Sequence, residues 1–132
     1  MGWVAFDHGE YLAACQRFCE ALKIARDLGV ADRPSLDRPS TLAGLACVAL
    51  QLGDVERALR LFAADARIAE AGGFHYAAYL CERRRRLLEA ARERLGMAAE
   101  RVWNEGWALT LNDLDTEVSA LAVAAERARL AV

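Results

Sequence analysis

The sequence predicts an all-α protein, and three observations predict it. The composition is 55% hydrophobic with only two Pro, and it is dominated by Ala, Leu, Arg and Glu, which favour helices over strands. Apolar residues recur at three- and four-residue steps rather than in alternation. The chain also repeats itself. A shift of 44 residues lays "FDHGEYLAACQRFCEALKIARDLG" over "LQLGDVERALRLFAADARIAEAGG". Gly9 then matches Gly53, Ala14 Ala58, Phe18 Phe62, Ile24 Ile68, Ala25 Ala69 and Gly29 Gly73, preceded by Val4 with Val48 and Ala5 with Ala49. At 132 residues the chain has the length of one domain with its own core, read as residues 1–132.

Each repeated unit reads as helix, tight turn, longer helix. Repeat 1 occupies 1–29 and has a shortened first helix; repeat 2 occupies 40–73. Gly9 and Gly53 suit the positive φ that ends a helix. Glu10 and Asp54, next in line, suit the positive end of the following helix dipole. Ala14, Phe18 and Ala21, and then Ala58, Phe62 and Ala66, form one helix face, where small residues permit close approach and Phe fills the space beyond. Between the units, "VADRPSLDRPST" contains Pro34 and Pro39, which forbid a continuous helix.

Residues 75–130 read as helices that cap the repeats, for about 6–7 helices in all. The stretch 75–95 is one long helix with Tyr76, Leu80, Leu87, Leu88, Ala91 and Leu95 as its buried stripe, ended by Gly96. Residues 97–106 form a short helix. A final helix from 111 to about 129 carries Leu111, Leu114, Val118, Leu121 and Ala125 in helical rhythm. The junction is "WNEGWALTLNDL". Gly106 is expected to be the left-handed residue that closes the short helix, and Thr110 the N-cap of the last, with Asp113 in capping-box position. Trp103 and Trp107 are expected to pack into the corner between the last three helices, so that Trp103→Ala costs about 3–5 kcal/mol.

"GDVERALRLF" and "GEYLAACQRF" resemble the turn and second helix of a tetratricopeptide repeat, and Leu45 and Ala46 fall where that pattern has Leu-Gly. The period exceeds the usual 34 or so residues, with the excess in the Pro-containing stretch. The ending "ARERLGMAAERVWNEGWALTLNDLDTEVSAL" is similar to the C-terminus of bacterial tetratricopeptide regulators: LuxR-type and antibiotic-regulatory activators, nucleotide cyclases and signalling ATPases. A bacterial source also suits the sixteen Arg against one Lys, a mark of GC-rich coding. The resemblance implies a helical-repeat superhelix that binds a protein or peptide on its concave side. In this register Met1-Gly2 sits at the Leu-Gly of a first helix whose beginning is missing, so the chain is expected to be a piece of a longer array.

First helices of such repeats line the concave side. The resemblance therefore points to Trp3, Phe6, Asp7, Cys47, Leu50 and Gln51 as partner-binding residues, with Arg83 and Arg86 as a polar rim. Trp3 and Phe6 also fit an interface covered by a preceding repeat, ordinary core, or the contact of a homodimer.

Chemistry is otherwise sparse. A net charge of −2 gives no general attraction to nucleic acid, and the run Arg83-Arg84-Arg85-Arg86 is spread around a helix, with Glu82 set to pair with Arg86 and Glu89 with Arg85. Direct nucleic-acid binding is not expected. No apolar run reaches membrane-spanning length and no signal pattern opens the chain, so a cytoplasmic protein is expected. Cys15, Cys19, Cys47 and Cys81 lack metal-site spacing and read as packed thiols. His75 and Cys81 fall on different helix faces. With no phosphate loop, no metal motif and no isolated carboxylate pair, neither catalysis nor a cofactor is expected. The alternatives are a self-associating helical scaffold and, remotely, a helical enzyme.

Overall fold

The computed structural model describes residues 10–27, 41–72 and 78–130. Among the described residues every regular element is helical: α1 (Tyr11–Asp27), α2 (Thr41–Gln51), α3 (Val55–Gly72), α4 (Ala78–Leu95), a 3-10 turn (Gly96–Ala98), α5 (Ala99–Trp107) and α6 (Leu111–Leu130). The helix expected before Gly9, the Pro34–Pro39 stretch, Gly29, Gly73, His75 and Tyr76 lie outside the described residues.

The turn from α2 to α3 is built as its residues dictate. Gly53 takes φ +88°, and two backbone bonds close the end of α2: Gly53 N–H to Leu50 O at 3.1 Å and Asp54 N–H to Ala49 O at 2.9 Å. Together they satisfy carbonyls that the end of the helix leaves open. Asp54 then caps α3, its Oδ1 accepting from Arg57 N–H at 3.3 Å, and its other oxygen pairs with the Arg57 guanidinium.

α2 is the centre of the core. Its sequence TLAGLACVALQ is apolar on all sides, and every residue from Leu42 to Leu50 is buried, between α1, α3, α4 and α6. A helix that is hydrophobic all round requires such cover. Of the repeated face, Ala14, Phe18, Ala58 and Phe62 are buried, while Ala21 and Ala66, at its far end, are half-buried. Gly44 on α2 lets the far end of the Phe18 ring close on the helix, because a Cβ there would sit 2.4 Å from ring carbons.

The two units differ where their neighbours differ. Arg17 is exposed and its counterpart Leu61 is buried; Ile24 is exposed and Ile68 is half-buried. α4 and α5 both pack on α3, so α3 must be apolar on a second side. Leu59, Ala99 and Val102 form the small cluster there. On α4, Ala91 is buried while Leu87, Leu88 and Leu95 are half-buried.

α6 returns across the molecule to α1 and α2. Of its expected stripe, Leu114, Val118, Leu121 and Ala125 are buried, and the Leu111 side chain lies outside the described residues. Glu117 ties it to α3 as well, accepting from Arg57 Nε at 2.8 Å and from Arg60 Nε at 2.9 Å. These side chains are 16–20% exposed, so the attraction is only partly screened. Glu117→Gln should lower stability by about 1–2 kcal/mol, since it leaves two half-buried guanidinium groups without their shared anion. Chemical denaturation of the variant checks this, and an unchanged midpoint would show that the pairs contribute nothing.

The corner between α5 and α6 corrects one expectation. Gly106 is a right-handed helical residue inside α5, and the positive-φ glycines among the described residues are Gly53 and Gly96. The reason for Gly106 is space. A Cβ there would lie 2.3 Å from Arg60 O and 2.5 Å from Arg60 Cα, so α5 and α3 meet backbone to backbone. The turn beyond it is held from α3 by Arg67, whose Nη2 donates to Leu109 O at 2.9 Å.

The start of α6 is capped as the sequence indicates. Thr110 Oγ1 accepts from Asp113 N–H at 3.1 Å, and Asp113 Oδ2 accepts from Thr110 N–H at 3.0 Å. The Thr110 backbone N–H, and then its hydroxyl, hold the Asp113 carboxyl below the usual aspartate range. A carboxyl with a lowered folded-state pKa contributes stability above its unfolded value, and that contribution is lost as the pH falls through the folded one. Stability should therefore decline below about pH 4, with a shallower acid limb in Asp113→Asn, read by urea denaturation across that range.

The Trp pair sits at the rim of this corner rather than inside it. Trp103 and Trp107 are both half-buried, their rings 6.3 Å apart and tilted by 35°. Trp103 packs against both apolar clusters and carries the Arg92 guanidinium 4.7 Å from its ring centre, a favourable cation–π placement. With part of the ring in solvent, the expected loss for Trp103→Ala falls to about 2 kcal/mol, read from its melting temperature.

Candidate interaction surface

Structure separates the residues that the resemblance assigns to a partner surface. Cys47 and Leu50 are buried, at 0% and 4% exposure, because α2 is covered by its own neighbours. This corrects their placement on a concave surface: both are core residues. Gln51, the last residue of α2, is exposed. Trp3, Phe6 and Asp7 lie outside the described residues, as does any dimer contact through them.

Arg86 is an exposed side chain on α4, 3.6 Å from Glu82. Arg85 is held more firmly, between Glu82 on one side and Glu89 at 2.8 Å on the other. The hydrogen bond from Arg85 keeps the Glu82 carboxyl below its ordinary range. The expected pairs of Glu82 with Arg86 and Glu89 with Arg85 thus both form, and Glu82 serves two arginines. Arg83 belongs to the same helix, and its side chain lies outside the described residues. Among the described side chains, Arg85 and Arg86 share this face with the carboxylates of Glu82 and Glu89, a mixed, internally paired surface able to meet a polar partner.

Among the described residues no three His, Cys, Asp or Glu side chains come together to hold a metal ion. No helix among them is long and apolar enough to cross a membrane. Among the described residues, Asp65 on α3 is a charged side chain buried in the core, at 3% exposure. Its burial was not legible, because it stands one position before the Ala66 expected on the buried face.

A concave feature lies between α1 and α6. Cys19, Leu22, Lys23 and Asp27 line it from α1, and Asp115, Val118 and Ser119 from α6, around a volume of about 400 Å³. The sequence places Cys19 on a helix, but nothing in it places α6 opposite. No protein-family model, curated protein or solved structure matches the chain. A functional reading therefore rests on its own residues.

Proposed function

We propose that the chain is a non-catalytic, tetratricopeptide-like protein–protein interaction domain, the C-terminal part of a bacterial transcriptional or signalling regulator. The observation that carries this reading is the repeated unit itself. Ala14 and Phe18 on α1, like Ala58 and Phe62 on α3, are buried at equivalent positions, and the α2–Gly53–α3 hairpin has the helix, glycine turn and longer helix of such a repeat. Among the described residues of the expected partner surface, Gln51 and Arg86 are exposed. Docking of a protein or peptide there would shift an attached effector module between states by binding one of them better.

The test is site-specific photocrosslinking from Gln51 and from Arg86 in the protein expressed in its host. A different protein captured from either position supports the regulator reading. Capture of further copies of the same chain replaces it with a self-associating scaffold, and no capture from either position defeats the assignment of this surface.

A further inference from the structure

α1 brings two thiols together and makes them unequal. The Sγ atoms of Cys15 and Cys19 lie 3.9 Å apart, one helical turn from each other. Cys15 is fully buried and Cys19 is half-buried, and Cys19 alone of the two lines the cavity between α1 and α6. One thiol is thus presented to small molecules, and the other stands behind it as a partner for its sulfur. We propose that Cys19 is a thiol-modification site, which forms a mixed disulfide with a small charged disulfide held in the α1–α6 groove.

Nucleophilic thiols are those with a stabilised thiolate and an open approach. Cys19 has both. Either sulfur can donate across the 3.9 Å contact, and the fully buried Cys15 is the one that burial holds neutral, so its S–H favours the thiolate at Cys19; this effect leads over burial and the nearby Glu20 carboxylate, which oppose it, and lowers Cys19 from the ordinary thiol range. The same bond, together with burial, pushes Cys15 far up, so Cys15 stays protonated. The other charged groups at the groove are Lys23 and Asp27 from α1 and Asp115 from α6. α2, which also packs on α1, presents no charged residue. Cys47, the other thiol with described surroundings, is fully buried.

The groove defines what it takes. Its volume of about 400 Å³ is in the range of small-molecule sites. An ammonium, two carboxylates and the Ser119 hydroxyl on its walls suit a zwitterionic thiol bearing both carboxylate and ammonium groups. In the reaction the Cys19 thiolate attacks one sulfur of R–S–S–R and forms the Cys19 Sγ–S bond as the original S–S bond breaks. The departing RS⁻ carries the electron pair and takes a proton from water. Cys19 is oxidised, half of the reagent is reduced, and no other oxidant enters.

The experiment treats the native protein with glutathione disulfide near neutral pH, quenches with acid and maps adducts by peptide mass spectrometry. The first adduct should fall on Cys19, about tenfold or more ahead of the buried Cys15 and Cys47. Lys23→Gln should slow the reaction severalfold with glutathione disulfide and leave the rate with uncharged hydroxyethyl disulfide unchanged. Cys15→Ala should move the rate profile to higher pH, while Cys15→Ser, which keeps a donor, should not. A first adduct on any other cysteine, or none on Cys19 before unfolding, overturns the site. Equal sensitivity of both reagents to Lys23→Gln overturns the ligand class. An unmoved Cys15→Ala profile overturns the role of Cys15, and the wild-type mapping stands as a test even if that variant does not fold.

Discussion

Gly106→Ala is expected to destabilise the protein by about 2–3 kcal/mol, although alanine is the better helix former by about 1 kcal/mol. The new methyl would lie 2.3 Å from the carbonyl oxygen of Arg60 and 2.8 Å from its carbonyl carbon. These are backbone atoms, which have no rotamer through which to withdraw, so α5 and α3 must separate. That separation would loosen Leu59 against Val102 and Ala99. Gly53→Ala is the informative control, because Gly53 has positive φ with nothing within 4 Å of the added Cβ. Its cost is backbone strain alone, about 1 kcal/mol. Urea denaturation of both variants decides the matter: equal midpoints for the two would show that contact with Arg60 is not the cause.

Phe62→Ala carries the largest expected loss, about 3–5 kcal/mol. Phe62 heads the fully buried side chains by size, at 0% exposure, and sits in the main core cluster with α2. Truncation leaves a void that the surrounding helices cannot close without moving α2, itself enclosed on every side. At a few degrees per kcal/mol for a chain of this length, the melting temperature should fall by more than 10 °C or so. Phe62→Leu, which keeps most of the volume, should cost about 1.5 kcal/mol or less. A Phe62→Ala protein that melts with the wild type would remove Phe62 from the core. Phe18→Ala, its repeat counterpart at 5% exposure, should be milder than Phe62→Ala, since α4 and α5 cover α3 but not α1.

The candidate surface was legible only in part. Gln51 and Arg86 emerge exposed, as a helix end and a charged helix face should. Cys47 and Leu50 stand three residues apart in the second half of α2, on what the repeat register treats as an outward-looking concave side. A helix as apolar as TLAGLACVALQ has no solvent face to offer, and that warning was already present in its composition. The groove beside Cys19 gave no comparable warning, because three of its seven lining residues come from α6, nearly a hundred residues further along the chain.

What the residues determined by themselves is whatever closes within a turn or two of helix. Gly53 and Asp54 end α2 and begin α3, Thr110 and Asp113 cap α6, and Glu82, Arg85 and Glu89 pair along α4, because each partner lies within five residues and local geometry brings it into reach. The helical class and the buried stripes of α3 and α6 belong with these, since periodicity is a local property. Tertiary structure alone decided the return of α6 to α1, the Glu117 link to Arg57 and Arg60, the half-buried placement of the Trp pair and the meaning of Gly106. A glycine whose φ is ordinary and a glycine that admits a neighbouring backbone look the same in a sequence, and only the approach of α3 to α5 tells them apart.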